Sequence, residues 1–468
     1  MKNQDVHAEY DNFSLSLPSI SIIVFFTIVF TIFYSVNTNT YADKIKSATP
    51  NPVEPAALKA IDEAPSLHNS TSIVKPNTSP PISEKLLIPQ AVLNDPDKLV
   101  NPVFKVPKYL HPRVSFWFNV YTKWDSYNHI IHHVDYPWVV FEVVNTKKFF
   151  KNNKSYMTQV HNAKKYVQLR KKFIRNSLKQ LARKKNKVKL SSFQKQLLKQ
   201  IKSLPGPLNK NLKMASVNVR SQLGQKNYFE YALKNSSKYL PAMENTFKQY
   251  SLPTELTRIP FVESSFNEKA QSKVGASGIW QIMPYSGKQY LKINKFIDER
   301  NSPLKATLAS AKHLKRDFKI LRSWPLAITA YNHGVGSMKK AVRALNSNHY
   351  GVILNKYKSE SFQFASKNFY SCFLAALHAE KYSKKIFDIT RKPSLDIVKV
   401  KLNSRIRVND LIEAAETTQK EFVQYNLDLK NALSANILLP KGFQVFLPRR
   451  LVVLLRNNLK PSNKVSKS

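Results

Sequence analysis

The sequence predicts a mainly α-helical protein, with a mixed α/β region ahead of the helical body and a small α+β module behind it. Three observations carry this. Apolar residues recur at helical spacing in the middle of the chain, at Leu240, Met243, Phe247 and Tyr250, and again at Leu256, Ile259 and Val262. The β-branched run Val139-Val140-Phe141-Glu142-Val143-Val144 reads as a strand ahead of them. Near the end, two strand-like runs at 395–400 and 443–448 enclose a helical stretch at 408–426.

Taken in order, the chain opens with an address. Residues 20–36 are apolar apart from hydroxyl side chains, a length that suits a signal peptide or a signal anchor within 1–42. Thr40-Tyr41-Ala42 offers a small-x-small cleavage site. Either way the reading is export, to the periplasm or cell envelope, with residues 20–36 as the anchor if uncleaved. Residues 43–108 form a Pro-rich linker: 11 of the 26 prolines fall between Pro50 and Pro107. Proline fixes φ and withholds a backbone donor, so a long helix or a sheet interior is excluded there.

An N-terminal aromatic and basic helical region follows, at 109–235. Its histidines His129, His132 and His133, with Asp135, invite a metal reading. Three imidazoles so close would need helical spacing to converge, and their surroundings read as strand and turn, so a structural role is expected. From 147 to 213 there are 21 Lys or Arg and no Asp or Glu. Leu169, Phe173, Ile174, Leu178 and Leu181 fall near helical spacing, which predicts amphipathic helices with a cationic outer face. The whole chain has 74 Lys or Arg against 30 Asp or Glu, a net charge of +44. Such a surplus either marks affinity for polyanions, here anionic wall or membrane polymers, or reflects a compositional bias towards Lys and Asn. Nucleic acid is not expected as a partner, because the segment lacks interleaved aromatics and lies downstream of an export signal.

Composition narrows the chemistry. The single cysteine, Cys372, excludes an intramolecular disulfide framework, a Cys-based zinc site and an N-terminal lipidated cysteine. Hydrophobic residues make up 43% of the 468 residues, enough for real cores in about three folded units. Glycine is scarce, nine in all, yet Gly275, Gly278, Gly287, Gly334 and Gly336 cluster together. Glycine permits positive φ and close approach to a ligand, so the cluster marks a tight-turned, ligand-lined region. Just upstream, Glu263 closes an apolar helix, where burial would raise its pKa as a general acid requires.

The segment Glu263 to Met283, ESSFNEKAQSKVGASGIWQIM, resembles the lytic transglycosylases of the lysozyme-like superfamily, which cleave peptidoglycan. The matching positions are Glu263-Ser264, Ser272, Gly275-Ala276, Gly278 and Gln281, with Trp280 where many relatives have Met. Asp298-Glu299-Arg300, the small-residue stretch 306–314, Trp324-Pro325-Leu326-Ala327 and Tyr331-Asn332-His333-Gly334 continue it, with His333 in place of the commoner Ala. The resemblance covers roughly 112–380. It implies a lysozyme-like (goose-type) catalytic domain at 236–390, with Glu263 catalytic and Ser264, Ser272, Gln281, Tyr331 and Asn332 binding substrate. It implies peptidoglycan glycan strands as partner, no cofactor and no metal. It further implies cleavage between N-acetylmuramic acid and N-acetylglucosamine with 1,6-anhydro ends. Two alternatives stay open: a hydrolytic muramidase of the same fold, which would need a second carboxylate such as Glu255, Glu268 or Asp298, and a non-catalytic wall-binding scaffold. Residues 391–450 resemble a degenerate LysM module without its usual Gly-Asp-Thr turn, and 451–468 read as a disordered tail.

Overall fold

The structure is a computed structural model that describes residues 89–150, 155–183 and 189–458. The apolar run 20–36, the cleavage site, most of the Pro-rich segment and the last ten residues lie outside the described residues. Among the described residues no helix is long and apolar enough to cross a membrane.

The helices that matter for the site are, in chain order, α1 (His111–Thr122), α2 (Tyr156–Arg183), α3 (Ser192–Lys202), α4 (Leu208–Val217), α5 (Lys226–Ser236), α6 (Leu240–Gln249), α7 (Ile259–Glu263), α8 (Pro303–Leu321), α9 (Trp324–His333) and α10 (Phe364–Lys381). Helix α10 is apolar nearly all round, from Phe369 through Ala379, so it has no face to give to water and becomes the axis of the main core. Helices α1, α7 and α9 pack against it, and α8 packs on α9 and α6.

This core redraws two expected boundaries. The linker ends earlier than expected: a helical turn at Pro89–Leu93 and 3-10 turns at Pro102–Phe104 and Lys108–Leu110 bring Val92, Leu93, Phe104 and Leu110 into the main core. The prolines do not prevent this, because Pro102 stands in a first turn, where its missing N–H would have no helical partner anyway. Nor is there a division at 235/236. Helix α1 shares the core of the later helices, and Arg113 and Trp117 both donate to Asn368 Oδ1, at 2.9 and 3.0 Å.

A second core lies beside the first. Strands β1 (Asn128–His133), β2 (Val140–Asn145) and β3 (Val219–Leu223) form an antiparallel sheet in the order β2-β1-β3. Side chains alternate across a strand, so Ile130 enters the main core while Ile131 enters the second, with Phe141, Ile174, Leu178 and Ile201. The sheet is the wall between the two cores. His132 and His133 are buried in it. Burial pushes the His132 imidazole down to about 3, and its Nδ1 lies 2.8 Å from the His133 carbonyl oxygen. Among the described residues no group of His, Cys, Asp or Glu is arranged to hold a metal ion. On α2 the buried stripe is Ala163, Val167, Ile174, Leu178 and Leu181. Leu169 and Phe173, expected in that stripe, point outward instead.

The C-terminal module pairs β4 (Ile397–Lys401) with β7 (Gln444–Pro448), and β5 (Ile406–Arg407) with β6 (Leu438–Leu439). The helix expected over 408–426 is two, α11 (Val408–Ala414) and α12 (Gln419–Tyr425). They are split where Glu416 adopts positive φ and Thr418 caps the second through the Glu421 amide. The tail expected to be disordered from 451 begins as a helix, α13 (Arg449–Asn458), because Leu451, Val452 and Leu455 share one apolar face and fill the module's core. The module is fastened to the helical body: Lys305 Nζ lies 2.7 Å from the buried Asp428 carboxylate, and the Asp298 amide donates to the Asp428 carbonyl at 3.1 Å.

At the start of α7 the buried Arg258 bridges three elements. Its guanidinium reaches Glu380 of α10 at 3.0 Å and Glu244 of α6, while Arg391 completes the shell around Glu380 at 3.0 Å. Removing one partner from a buried ion pair strands the others. Arg258→Ala is therefore expected to destabilise the fold by about 3–5 kcal/mol. Urea unfolding at neutral pH checks this; a loss below about 1 kcal/mol would mean that the bridge is not a support of α7.

Candidate active site

Helix α7 is short, with Pro260 in its first turn and Glu263 as its last residue. Immediately after it, Ser265 and Phe266 both take positive φ, +52° and +54°, so the chain turns sharply away and leaves Glu263 at the tip. Ser264 turns inward: its hydroxyl donates to the Ile279 carbonyl at 2.7 Å, tying the helix end to the following loop. Glu263 is only 5% exposed. Burial alone pushes its carboxyl up to about 8. Among the described residues no ion pair or hydrogen bond holds the carboxyl. The titratable groups whose protons feel its charge are Tyr331, Tyr121 and Cys372, and each is itself raised chiefly by burial. The acid thus stands among neutral groups at neutral pH, which keeps its proton on and ready to be given away.

The loop beyond α7 is a set of tight turns. Ser272 Oγ accepts from the Ala276 amide at 2.9 Å, and the Ser272 amide donates to the Ala276 carbonyl, also at 2.9 Å. Gly278 has φ +74°, and a Cβ there would stand 2.0 Å from the Arg300 carbonyl oxygen, so only glycine fits. Arg300 grips Asp298 through two nitrogens and donates to the carbonyls of Gly275 and Ile282, at 2.6 and 3.1 Å. This explains the Asp298-Glu299-Arg300 motif as a brace of the loop. Gln281 sits at φ +47°, a conformation that costs a residue with a side chain about 1–2 kcal/mol. Its own amide holds it there, donating to Ala270 and Gly278 carbonyls at 3.1 and 2.9 Å, and its buried Oε1 has no partner among the described residues.

A groove opens beside this loop, lined by Gln281, Ile282, Met283, Ser286, Tyr290, Ala309, Ser310, His313 and Tyr331. Glu263 is not in its lining; Tyr331 is the residue shared by the groove and the surroundings of Glu263. Burial raises the Tyr331 phenol well above its ordinary range. Its hydroxyl donates to the Trp280 carbonyl at 2.8 Å and stands 3.3 Å from Ser310 Oγ. Asn332 faces away into the core, where Ser366 Oγ donates to its Oδ1 at 3.1 Å. His333 Nδ1 lies 3.1 Å from the same hydroxyl, and burial lowers its imidazole to about 4, so the turn is neutral at pH 7.

Of the six residues expected at the site, Gln281 and Tyr331 line the groove, and Glu263 lies outside the lining but close enough to raise the Tyr331 phenol. Ser264, Ser272 and Asn332 hold backbone or core partners and shape the site from behind. Trp280, at the position where many relatives have Met, is fully buried: it stacks on Phe247, and its indole N–H donates to Thr307 at 2.9 Å. Trp324 stacks on Phe318 in the core. Sequence reasoning did not single out Ser310 and His313. The signal was available, since Ala306, Ala309, Ser310 and His313 recur at helical spacing on α8 within the small-residue stretch 306–314. His313 reaches into the groove with the buried Asp317 behind it, at 3.2 Å.

The other carboxylates near in sequence are engaged elsewhere. Glu255 accepts from the Asn101 amide, Glu268 pairs with Lys238 and accepts from the Tyr239 hydroxyl, and Asp298 holds Arg300.

With this geometry in view, residues 241–351 match the family described as transglycosylase SLT domain, which bears out the resemblance to the lytic transglycosylases. The membrane-bound lytic murein transglycosylase D of Escherichia coli strain K12 is 27% identical over 223 residues, which are 45% of this chain and 47% of the relative. The protein of that name from Escherichia coli O6:H1 matches to the same extent. The chain thus spans about half the length of the curated relatives it matches. A crystal structure of the 70 kDa soluble lytic transglycosylase of Escherichia coli is similar at 19% identity and a TM-score of 0.26, covering 38% of this chain and 33% of that one.

The raised acid has a stability signature. Between its ordinary value of 4.5 and about 8, the native state keeps a proton that the unfolded chain has released. Stability contributed by this group therefore falls as pH rises through that window, by at most about 1.4 kcal/mol per pH unit. Glu263→Gln cannot ionise, so its stability advantage over wild type should grow from pH 5 to pH 8 in denaturant unfolding. An advantage independent of pH would mean that the carboxyl is not buried uncharged.

Proposed function

We propose that the protein is a peptidoglycan lytic transglycosylase of the cell envelope. The observation that carries this reading is the buried carboxyl of Glu263, raised by burial alone and unpaired among the described residues, while the buried Asp317 near the same Tyr331 is taken up by His313 and Arg316. A two-carboxylate glycosidase places its pair about 5–10 Å apart, whereas a substrate-assisted path needs one acid. Glu263 gives its proton to the oxygen between N-acetylmuramic acid and N-acetylglucosamine as the bond to C1 breaks. The muramic acid's own N-acetyl carbonyl oxygen closes on C1. Glu263, now a carboxylate, takes the proton from the C6 hydroxyl, whose oxygen attacks C1 and releases the N-acetyl group. The end formed is 1,6-anhydro, and no water is consumed. The Tyr331 phenol, whose proton is donated to Trp280, is left to accept from the N-acetyl N–H, which makes the carbonyl oxygen a better nucleophile. Gln281 and Ser272 present the loop against the sugars. The C-terminal module, read as a degenerate LysM domain, would hold glycan beside the body to which Lys305 and Asp428 fasten it.

The test is digestion of purified sacculi followed by mass analysis of the fragments. Anhydro ends are expected; reducing ends would instead establish a hydrolytic muramidase, and no fragments a scaffold. Glu263→Gln should lower the rate by about 10²–10⁴ or more, since one group serves as acid and then base. Activity within tenfold of wild type would mean another residue is the acid. Tyr331→Phe should weaken both turnover and binding of a bicyclic oxazoline mimic; failure of wild type to bind the mimic would remove substrate assistance from the mechanism.

A further inference from the structure

The outward face of α2 combines two features that a solvated helix does not need together. Lys165, Lys172 and Lys179 are exposed and recur every seven residues, which lines them up along the helix. Leu169 and Phe173 project within about a quarter-turn of that row. They are 57% and 46% exposed, and Met157, on the row's other flank near the start of the helix, is 61% exposed. Phe173 packs on Phe193 at 5.3 Å and under the Arg170 guanidinium on one side and keeps the rest of its ring open, and neither it nor Leu169 gains from facing water. The lysines are equally unanswered. From 147 to 213 there is no Asp or Glu, and among the described residues no carboxylate pairs with Lys165, Lys172 or Lys179. Helix α2 runs 28 residues, about 40 Å, so the row is long enough to meet an extended surface rather than a single ion.

We propose that this face docks on an anionic lipid bilayer, with Lys165, Lys172 and Lys179 against the headgroups and Leu169 and Phe173 in the interfacial layer. A soluble polyanion would engage the lysines and leave Leu169 and Phe173 exposed. A membrane interface takes both, because it offers negative headgroups above an apolar boundary. The proposal is independent of the enzymatic reading, since neither the groove nor Glu263 enters it.

The test uses the full chain and co-sedimentation with vesicles of phosphatidylcholine alone or with about one-third phosphatidylglycerol. Residues 20–36 are an apolar run that can bind either vesicle, so the quantity read is the gain in affinity on adding phosphatidylglycerol. Replacing Lys165, Lys172 and Lys179 together by Gln should remove that gain, on the order of a hundredfold in affinity. The double variant Leu169→Ser, Phe173→Ser should also lose that gain, by tenfold or more, while binding inorganic polyphosphate as wild type does. Circular dichroism and the unfolding midpoint should be unchanged for both variants. An equal gain for the double variant and wild type would overturn the proposal and leave a soluble-polyanion face. No gain from phosphatidylglycerol in wild type would overturn it as well.

Discussion

Burying a carboxyl group without a cation is tolerable only if the group gives up its charge, and Glu263 meets that condition. Much of the helical body can be understood as the means of keeping it there. Helix α10, apolar on nearly every side, supplies the dry floor. Helix α7 holds Glu263 at its tip, and the left-handed pair Ser265 and Phe266 turns the chain away at once. The residues that sense its charge are a thiol and two phenols, all neutral at physiological pH. A lysine or arginine in place of any of them would lower the carboxyl's pKa and let it ionise at neutral pH.

Charge is nonetheless abundant close by, and its placement is instructive. Arg258 stands one full turn and more before Glu263, and it is answered by Glu380 and Glu244. Arg300 stands under the loop that carries Gln281, and it is answered by Asp298 and by two carbonyls. Both guanidiniums hold the elements that flank the acid while their charge is neutralised locally. A buried ion pair of this kind adds little net stability over an apolar replacement, but it fixes geometry because neither partner can move without leaving the other exposed to a low-dielectric interior.

The helical body and the place of Glu263 at the end of an apolar helix are legible in the chain alone, because both are written in short-range patterns: helical spacing of apolar residues, and the spaced Glu, Ser, Gly and Gln positions. What was not legible depends on contacts distant in sequence. The prolines of the nominal linker hide the fact that Val92, Leu93 and Phe104 have a core to enter. Leu169 and Phe173 fit a helical stripe as well as Val167 does, and only the sheet beneath α2 decides which of them is buried. The last segment looked polar from its lysines and asparagines, yet Leu451, Val452 and Leu455 have an apolar face waiting in the module. At the site, Ser272 and Asn332 sit at the matched positions, but their partners are an amide four residues on and a serine on another helix. No pattern in the sequence names those partners.

The bond between Arg113 and Asn368 joins residues 255 positions apart. Helix α1 belongs to a core whose axis, α10, is made much later. At ribosomal rates of about 5–20 residues per second, α1 emerges roughly 10–50 s before the helix it must pack against. During that interval Phe116 can meet His132 and Tyr121 can meet Phe229, but the face of α1 that α10 covers stays open and Trp117 lacks Asn368. Contacts this far apart slow folding, because the intervening loop must be closed before any of them forms. The first half of the chain therefore cannot complete its fold ahead of the second. The main core thus stays open until the segment around Phe373 arrives, whereas the second core, drawn wholly from residues 131–219, has no such wait.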